Sequence, residues 1–225
     1  MGNFKKHGSV EKGAGLTPDM ALINAQALVE LSADDVFVFR VAACDDQVDR
    51  DNERFTPKAL EQMADLFVGH PIIMDHNWSS RNQTARIYDA DVQESGGVNR
   101  LILSAYMIRN DATAPVIQAI EGGILREVSV CCHVKHAVCS ICGTDKAVAW
   151  CDHRPGKTYD GETCVVSLDE ASDAYEVSFV AVPAQREAGV IKTYGGEGNR
   201  SQDNPNESDL QKALALLELE KNRFA

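Results

Sequence analysis

From Ile124 to Val134 the chain alternates with period two, setting Val128, Val130, Cys132 and Val134 on one face and Ser129, Cys131 and His133 on the other. A segment of this kind is a strand with one packed side, and its partners must lie elsewhere in the chain. Ala85 to Val92 and Leu101 to Ile108 alternate in the same way, and the turn residues Gly96-Gly97 between them predict an antiparallel pair. Val36 to Val41 is apolar and β-rich, which predicts a buried strand; Pro71 to Met74 reads as a short one, and Tyr175 to Val182 as a last one stopped by Pro183. The acidic segment Asp45 to Asp51 reads as a turn or loop.

Helices are few. Thr17-Pro18-Asp19 carries a cap followed by proline at the first helical position, with Leu22, Ile23 and Leu28 as a modest apolar face ending near Ser32. Thr56-Pro57 opens a second helix with Leu60, Met63 and Phe67 on one side, and Pro115 to Ile120 a third, stopped by Gly122-Gly123. The pattern predicts an α+β fold with mostly antiparallel strands. Residues 1–33 form an N-terminal arm and short helix, and 34–194 the main domain with an insertion at 137–166. Residues 195–207 form a flexible linker rich in Gly, Asn, Ser and Asp, and 208–225 a C-terminal interaction helix with Leu210, Leu214, Leu217 and Phe224 on one stripe.

Net charge decides against one class of partner. At −12, with a sequence pI near 4.9, the chain lacks the concentrated positive surface that a phosphate backbone requires, so no nucleic acid is expected. No run of about 18 apolar residues occurs, so no membrane span is expected. The first residues lack a secretion signal's apolar run and fit no myristoylation site, which points to a reducing, cytoplasmic compartment.

An odd count of seven cysteines in such a compartment argues for metal rather than disulfides, and five of them lie between Cys132 and Cys164. Cys139-Ser140-Ile141-Cys142-Gly143 is a CxxC turn that aims two thiolates at one point. Cys151 and His153 offer a second pair, with Cys164 an alternative ligand. Zinc takes four such ligands in a tetrahedron, and with all four supplied by protein no position stays open for water, so the metal is structural. HxE with PCxxC and HExxH are both missing, which removes zinc deaminases and zincin proteases. Cys131 and Cys132 read as core or pocket residues.

Three polar residues stand out among apolar neighbours. Ser129 lies mid-strand between valines, where an unpartnered hydroxyl costs stability. His76 follows the short strand 71–74 and opens the polar stretch Asn77-Trp78-Ser79-Ser80-Arg81, rigid on one side and open on the other, as a general base requires. Glu176 sits among apolar residues and needs a hydrogen-bonding or positive partner, which imidazole would be. Ser178 competes as nucleophile, His70 as base and Asp173 as acid.

The strings Met74-Asp75-His76-Asn77, Ile124-Leu125-Arg126-Glu127-Val128-Ser129-Val130 and Tyr175-Glu176-Val177-Ser178-Phe179-Val180-Ala181-Val182-Pro183-Ala184, taken in this order, resemble phage prohead (capsid maturation) proteases. These are serine peptidases with a fold related to herpesvirus assembly proteases. The resemblance covers about residues 34–192, and the strand ending in Pro-Ala is its most specific part. It implies Ser129 as nucleophile, His76 as general base and Glu176 as the acid that orients the imidazole, with Ser178 structural. It implies a β-barrel-like protease domain with flanking helices and an inserted zinc knuckle. The substrate and partner would be a major capsid or scaffold protein, met in the bacterial host's cytoplasm within the assembling prohead, and a homo-oligomer is compatible with this. Two positions depart from the family pattern: Cys131 stands where glycine is common two residues after the nucleophile, and Ala85-Arg86 where Gly-Arg is common. The rival expectation is a zinc-stabilised capsid assembly or scaffolding module without hydrolytic activity.

Overall fold

The computed structural model describes residues 17–191. The first half holds helix α1 (Met20–Asn24), strands β1 (Val36–Asp45) and β2 (Glu53–Phe55), helix α2 (Pro57–Phe67), and strands β3 (Pro71–Met74), β4 (Ala85–Ser95) and β5 (Val98–Ile108). The second half holds helix α3 (Ala114–Glu121) and strands β6 (Val128–Cys139), β7 (Thr158–Tyr159), β8 (Glu162–Thr163), β9 (Val166–Phe179) and β10 (Gly189–Ile191). The architecture is α+β. One eight-stranded sheet runs β10-β1-β5-β4-β3-β9-β2, with β6 added to β9, while β7 and β8 form a small separate hairpin. Its pairings are antiparallel except where β2 and β3 run parallel to β9.

The expected barrel does not close among the described residues. Between β6 and β10 the only link is a single bridge, Glu127 to Gly189, with Val190 N donating to Arg126 O at 2.7 Å. Glycine is required at that seam, since a Cβ on Gly189 would lie 2.7 Å from the Arg126 carbonyl oxygen.

The hairpin β4–β5 follows directly from its turn. Ser95 pairs with Val98, leaving two glycines as the loop, at φ 62° and 78°. Positive φ at both central residues is the turn geometry that matches strand twist, and glycine adopts it without steric cost. Helix α2 packs on one face of the sheet, where Leu60, Met63 and Phe67 are fully buried with Phe39, Leu103, Val177 and Phe179. Each such side chain contributes about 1.5–3 kcal/mol of apolar burial. Thr56 ties this helix to the sheet. Its hydroxyl oxygen accepts from Ala59 N as the N-cap and its O–H donates to Asp169 Oδ1 on β9 at 2.7 Å. A smaller cluster of Ile23, Val36, Tyr88 and Tyr106 packs on the opposite face. Among the described residues no helix is long and apolar enough to cross a membrane.

Several expected boundaries shift. Helix α1 has five residues, with Asp19 as its cap accepting from Ala21 N and Leu22 N, so Pro18 precedes the cap and Leu28 is fully exposed. Strand β6 starts at Val128 rather than Ile124, and it runs on to Cys139, three residues into the segment expected to interrupt it. Strand β9 starts at Val166, nine residues before the expected Tyr175. The two pair along their whole length, from Val128 with Phe179 to Cys139 with Val166. The register shifts at Cys131/Cys132 and His133/Val134 skip Tyr175 and Ser172 and so break the period-two pattern of β9, while Val128, Val130, Cys132 and Val134 of β6 all pack toward the core as their alternation predicts. The proposed linker at 195–207 and helix at 208–225 lie outside the described residues.

Candidate active site and cysteine cluster

Strand β9 lies between β3 and β6, and this arrangement assembles the candidate residues. Ile73 on β3 and Ser129 on β6 are both register partners of Ser178, and Cys131 is the partner of Glu176. Directly paired residues point to one side of a sheet, as do residues two apart on a strand. Ser129, Cys131, Glu176 and Ser178 therefore share a face, opposite to the one that buries Val177 and Phe179 against α2.

His76 reaches this face through an unusual backbone. At the end of β3, Asp75 and His76 both adopt left-handed conformations, with φ of 54° and 51°. Such strain costs of order 1–3 kcal/mol per residue and persists only where the surroundings impose it. Here Asp75 N donates to Phe179 O, and His76 N donates to the Ser178 hydroxyl, each at 3.0 Å. The turn aims His76 Nδ1 at Glu176 Oε1, 2.6 Å away. Glu176 is almost completely buried, while the His76 side chain is 40% exposed. Ser178 donates its proton to Glu176 Oε2 at 2.6 Å. Both carboxylate oxygens are thus occupied, as a buried charge requires. A carboxylate accepts, so this contact suits the tautomer with the proton on Nδ1, which leaves Nε2 as an acceptor.

His76 and Glu176 are brought together and Ser129 is set beside them, one strand over. Among the described residues, neither the Ser129 hydroxyl nor His76 Nε2 makes a hydrogen bond. The competing assignments fare differently. Ser178 spends its hydroxyl on Glu176 and the His76 backbone, a bracing role. His70 turns Nδ1 to the Tyr175 carbonyl at 3.1 Å and packs edge-on to Phe67. Asp173 accepts from Ala174 N, away from His76. Cys131 is a thiol next to a carboxylate: burial first, then the Glu176 charge, raise its pKa above the ordinary value, which disfavours a thiolate nucleophile.

The second cluster grows from the far end of the same strand pair. Cys139 closes β6 opposite Val166, the first residue of β9, so the excursion between them begins and ends on a rigid stem. The ligand atoms of Cys139, Cys142, Cys151 and His153 all lie within 4.8 Å of one another, a group that could hold a metal ion. His153 Nδ1 is buried and has no hydrogen-bond partner among the described residues, and its ring packs edge-on to Tyr159 at 4.6 Å. A buried nitrogen of this kind normally has a partner, and a cation would be one. Cys142 is held down to about 6, chiefly by its side-chain hydrogen bond with Thr144 at 3.2 Å, which favours the ligating thiolate. Cys164 is fully buried with its Sγ 3.8 Å from that of Cys139. Two thiolates on one tetrahedral zinc, with bonds of ~2.3 Å, lie about 3.8 Å apart. Lys146, unnoticed in the sequence, supports the loop by donating from Nζ to the His153 carbonyl at 2.7 Å.

Other features escaped the sequence reading. The left-handed pair at 75–76 had a faint signal, because Asp and His are both enriched in that conformation. The contact between Trp78 and Tyr175 beside the His76–Glu176 pair had none, since 97 residues separate the two rings. Comparison with protein-family models, curated proteins and solved structures gives no match to this chain.

Proposed function

We propose that the protein is a serine endopeptidase in which Ser129 is the nucleophile, His76 the general base and Glu176 the group that orients the imidazole. The observation that carries this reading is the 2.6 Å contact of His76 Nδ1 with a buried glutamate on the sheet face that also bears Ser129. Ser129 Oγ attacks a peptide carbonyl as its proton passes to His76 Nε2, and the imidazolium is stabilised by Glu176. The protonated imidazole gives its proton to the leaving amine, and water, deprotonated in turn by His76, releases the acyl group. Backbone N–H groups near Ser129 stabilise the oxyanion. A nucleophile–base bond that forms only with substrate bound is common in hydrolases. The likeness of the three strings to prohead proteases makes a capsid or scaffold protein the proposed substrate, met inside an assembling phage head.

The cysteine cluster is proposed to hold structural zinc through Cys139, Cys142, Cys151 and His153, with Cys164 as the alternative to His153. Sulfur and imidazole ligands gathered within 4.8 Å suit zinc, and four protein ligands leave it no catalytic position. The zinc-stabilised assembly module without hydrolytic activity draws on one observation, that among the described residues the Ser129 hydroxyl makes no hydrogen bond to the His76 ring. The deciding experiment incubates the protein and its S129A variant with the capsid and scaffold proteins. Cleavage by the first and not the second supports the peptidase, and cleavage by both removes Ser129 from it.

A further inference from the structure

Beside the His76–Glu176 pair, β3 and β9 enclose a cleft of about 400 Å³. Its floor is apolar. Pro71 and Ile73 line it from β3, on the face shared with Glu176. Its walls are Trp78, two residues beyond His76, and Tyr175, one residue before Glu176. The rings touch at 5.5 Å between centroids with planes tilted by 44°. Trp78 is 66% exposed and Tyr175 37%.

Single exposed apolar residues are ordinary on protein surfaces. Two aromatic rings in contact over an apolar concavity are a different arrangement, with the large area and rigid shape that anchor side chains in binding sites. The position adds the second argument. Glu176 lines the cleft and also holds His76, so a side chain seated against the Trp78 and Tyr175 rings lies beside the His76–Glu176 pair. The walls are fixed from behind, because His70 Nδ1 holds the Tyr175 carbonyl and the Asp75–His76 turn fixes where the Trp78 loop leaves β3. Asp173 and Glu176 are the charged residues in the lining, and both are acids, so an acidic side chain would be repelled.

We infer that the Trp78–Tyr175 cleft is the substrate subsite for a large apolar side chain flanking the scissile bond, an inference that rests on the peptidase reading. Filling an apolar subsite with a large rather than a small side chain changes kcat/KM by about 10- to 100-fold.

The test uses a peptide series carrying Phe, Leu, Ala, Lys or Asp at one position beside the cleaved bond. The protein should favour Phe or Leu over Ala by about 10- to 100-fold in kcat/KM. Trp78→Ala should shrink that ratio to below about 3-fold, and Trp78→Phe should restore most of it. Binding is read separately on an S129A/W150F variant, in which Trp78 is the remaining tryptophan and its fluorescence reports the same peptides as uncleavable amides. Preferred binding of Phe and Leu without hydrolysis by the unaltered protein sinks the peptidase and keeps the cleft as an apolar peptide site. Hydrolysis whose Phe-to-Ala ratio ignores Trp78→Ala, with no binding preference, overturns the subsite and keeps the peptidase. A preference for Lys or Asp overturns the apolar assignment.

Discussion

The two ends of the β6–β9 strand pair solve the same problem in opposite ways. At one end Glu176 is buried and both of its carboxylate oxygens are matched within the chain, by His76 Nδ1 and by the Ser178 hydroxyl. At the other end His153 Nδ1 is buried and unmatched, amid sulfurs set within 4.8 Å. The first network is complete with protein groups alone and fixes the direction of one imidazole. In the second, a cation held among the ligand atoms would give the same satisfaction. A hydrogen-bonded site can therefore be preorganised by strand register, whereas a thiolate cluster takes its rigidity from what it binds.

Breaking the matched end should produce the largest effect. Ser129→Ala should lower kcat on a capsid-protein substrate by about 10⁴-fold or more, with circular dichroism unchanged. Glu176→Gln keeps the shape and loses the charge that stabilises the imidazolium. It should cost about 10³- to 10⁴-fold in kcat, and retention of full activity would detach Glu176 from the mechanism.

At the cysteine end, protein purified without added zinc should carry about one equivalent by elemental analysis. Less than about half an equivalent, with chelation leaving folding unaltered, would return residues 139–164 to an ordinary loop. Cys142→Ser should abolish binding and lower Tm by about 4–8 °C, corresponding to ~2 kcal/mol for a chain of this size. Replacing His153 and Cys164 one at a time separates the two candidate ligand sets, since the true ligand's loss releases zinc and the other's does not.

The smallest effect concerns the scaffold common to both ends. Thr56→Ala removes the α2 cap and the bond to Asp169, and should cost about 1–2 kcal/mol in denaturant unfolding. The Thr56 hydrogen bond is the main cause holding Asp169 below its ordinary 3.8. A depressed carboxyl stabilises the fold above its unfolded pKa and loses that contribution as pH falls through the lower folded value. The stability gap between the variant and the unaltered protein should therefore be widest above about pH 4 and narrow on further acidification. A gap independent of pH would assign the whole effect to the cap.

Much of this molecule could be read one segment at a time. The α2 face of Leu60, Met63 and Phe67, the two-glycine hairpin and the CxxC spacing are properties of a dozen neighbouring residues, and each appears where the pattern put it. The extent of β9 was not legible, because two register shifts disturb the alternation that marks a strand. The same holds for the hydrogen bonds of Ser178, whose position two residues from Glu176 suggests a shared face but not which hydroxyl contacts what.

Local periodicity and cap chemistry determined helices α2 and α3 and the two-glycine hairpin, and residue type alone gave the ligand chemistry of the cysteine segment. Only the folded chain decided that β9 would take β3 on one edge and β6 on the other, and so that an imidazole would meet a carboxylate a hundred residues away. The reason is physical: side-chain alternation records which face a residue takes, whereas strand pairing depends on the free energy of closing long loops against burial summed over the whole sheet.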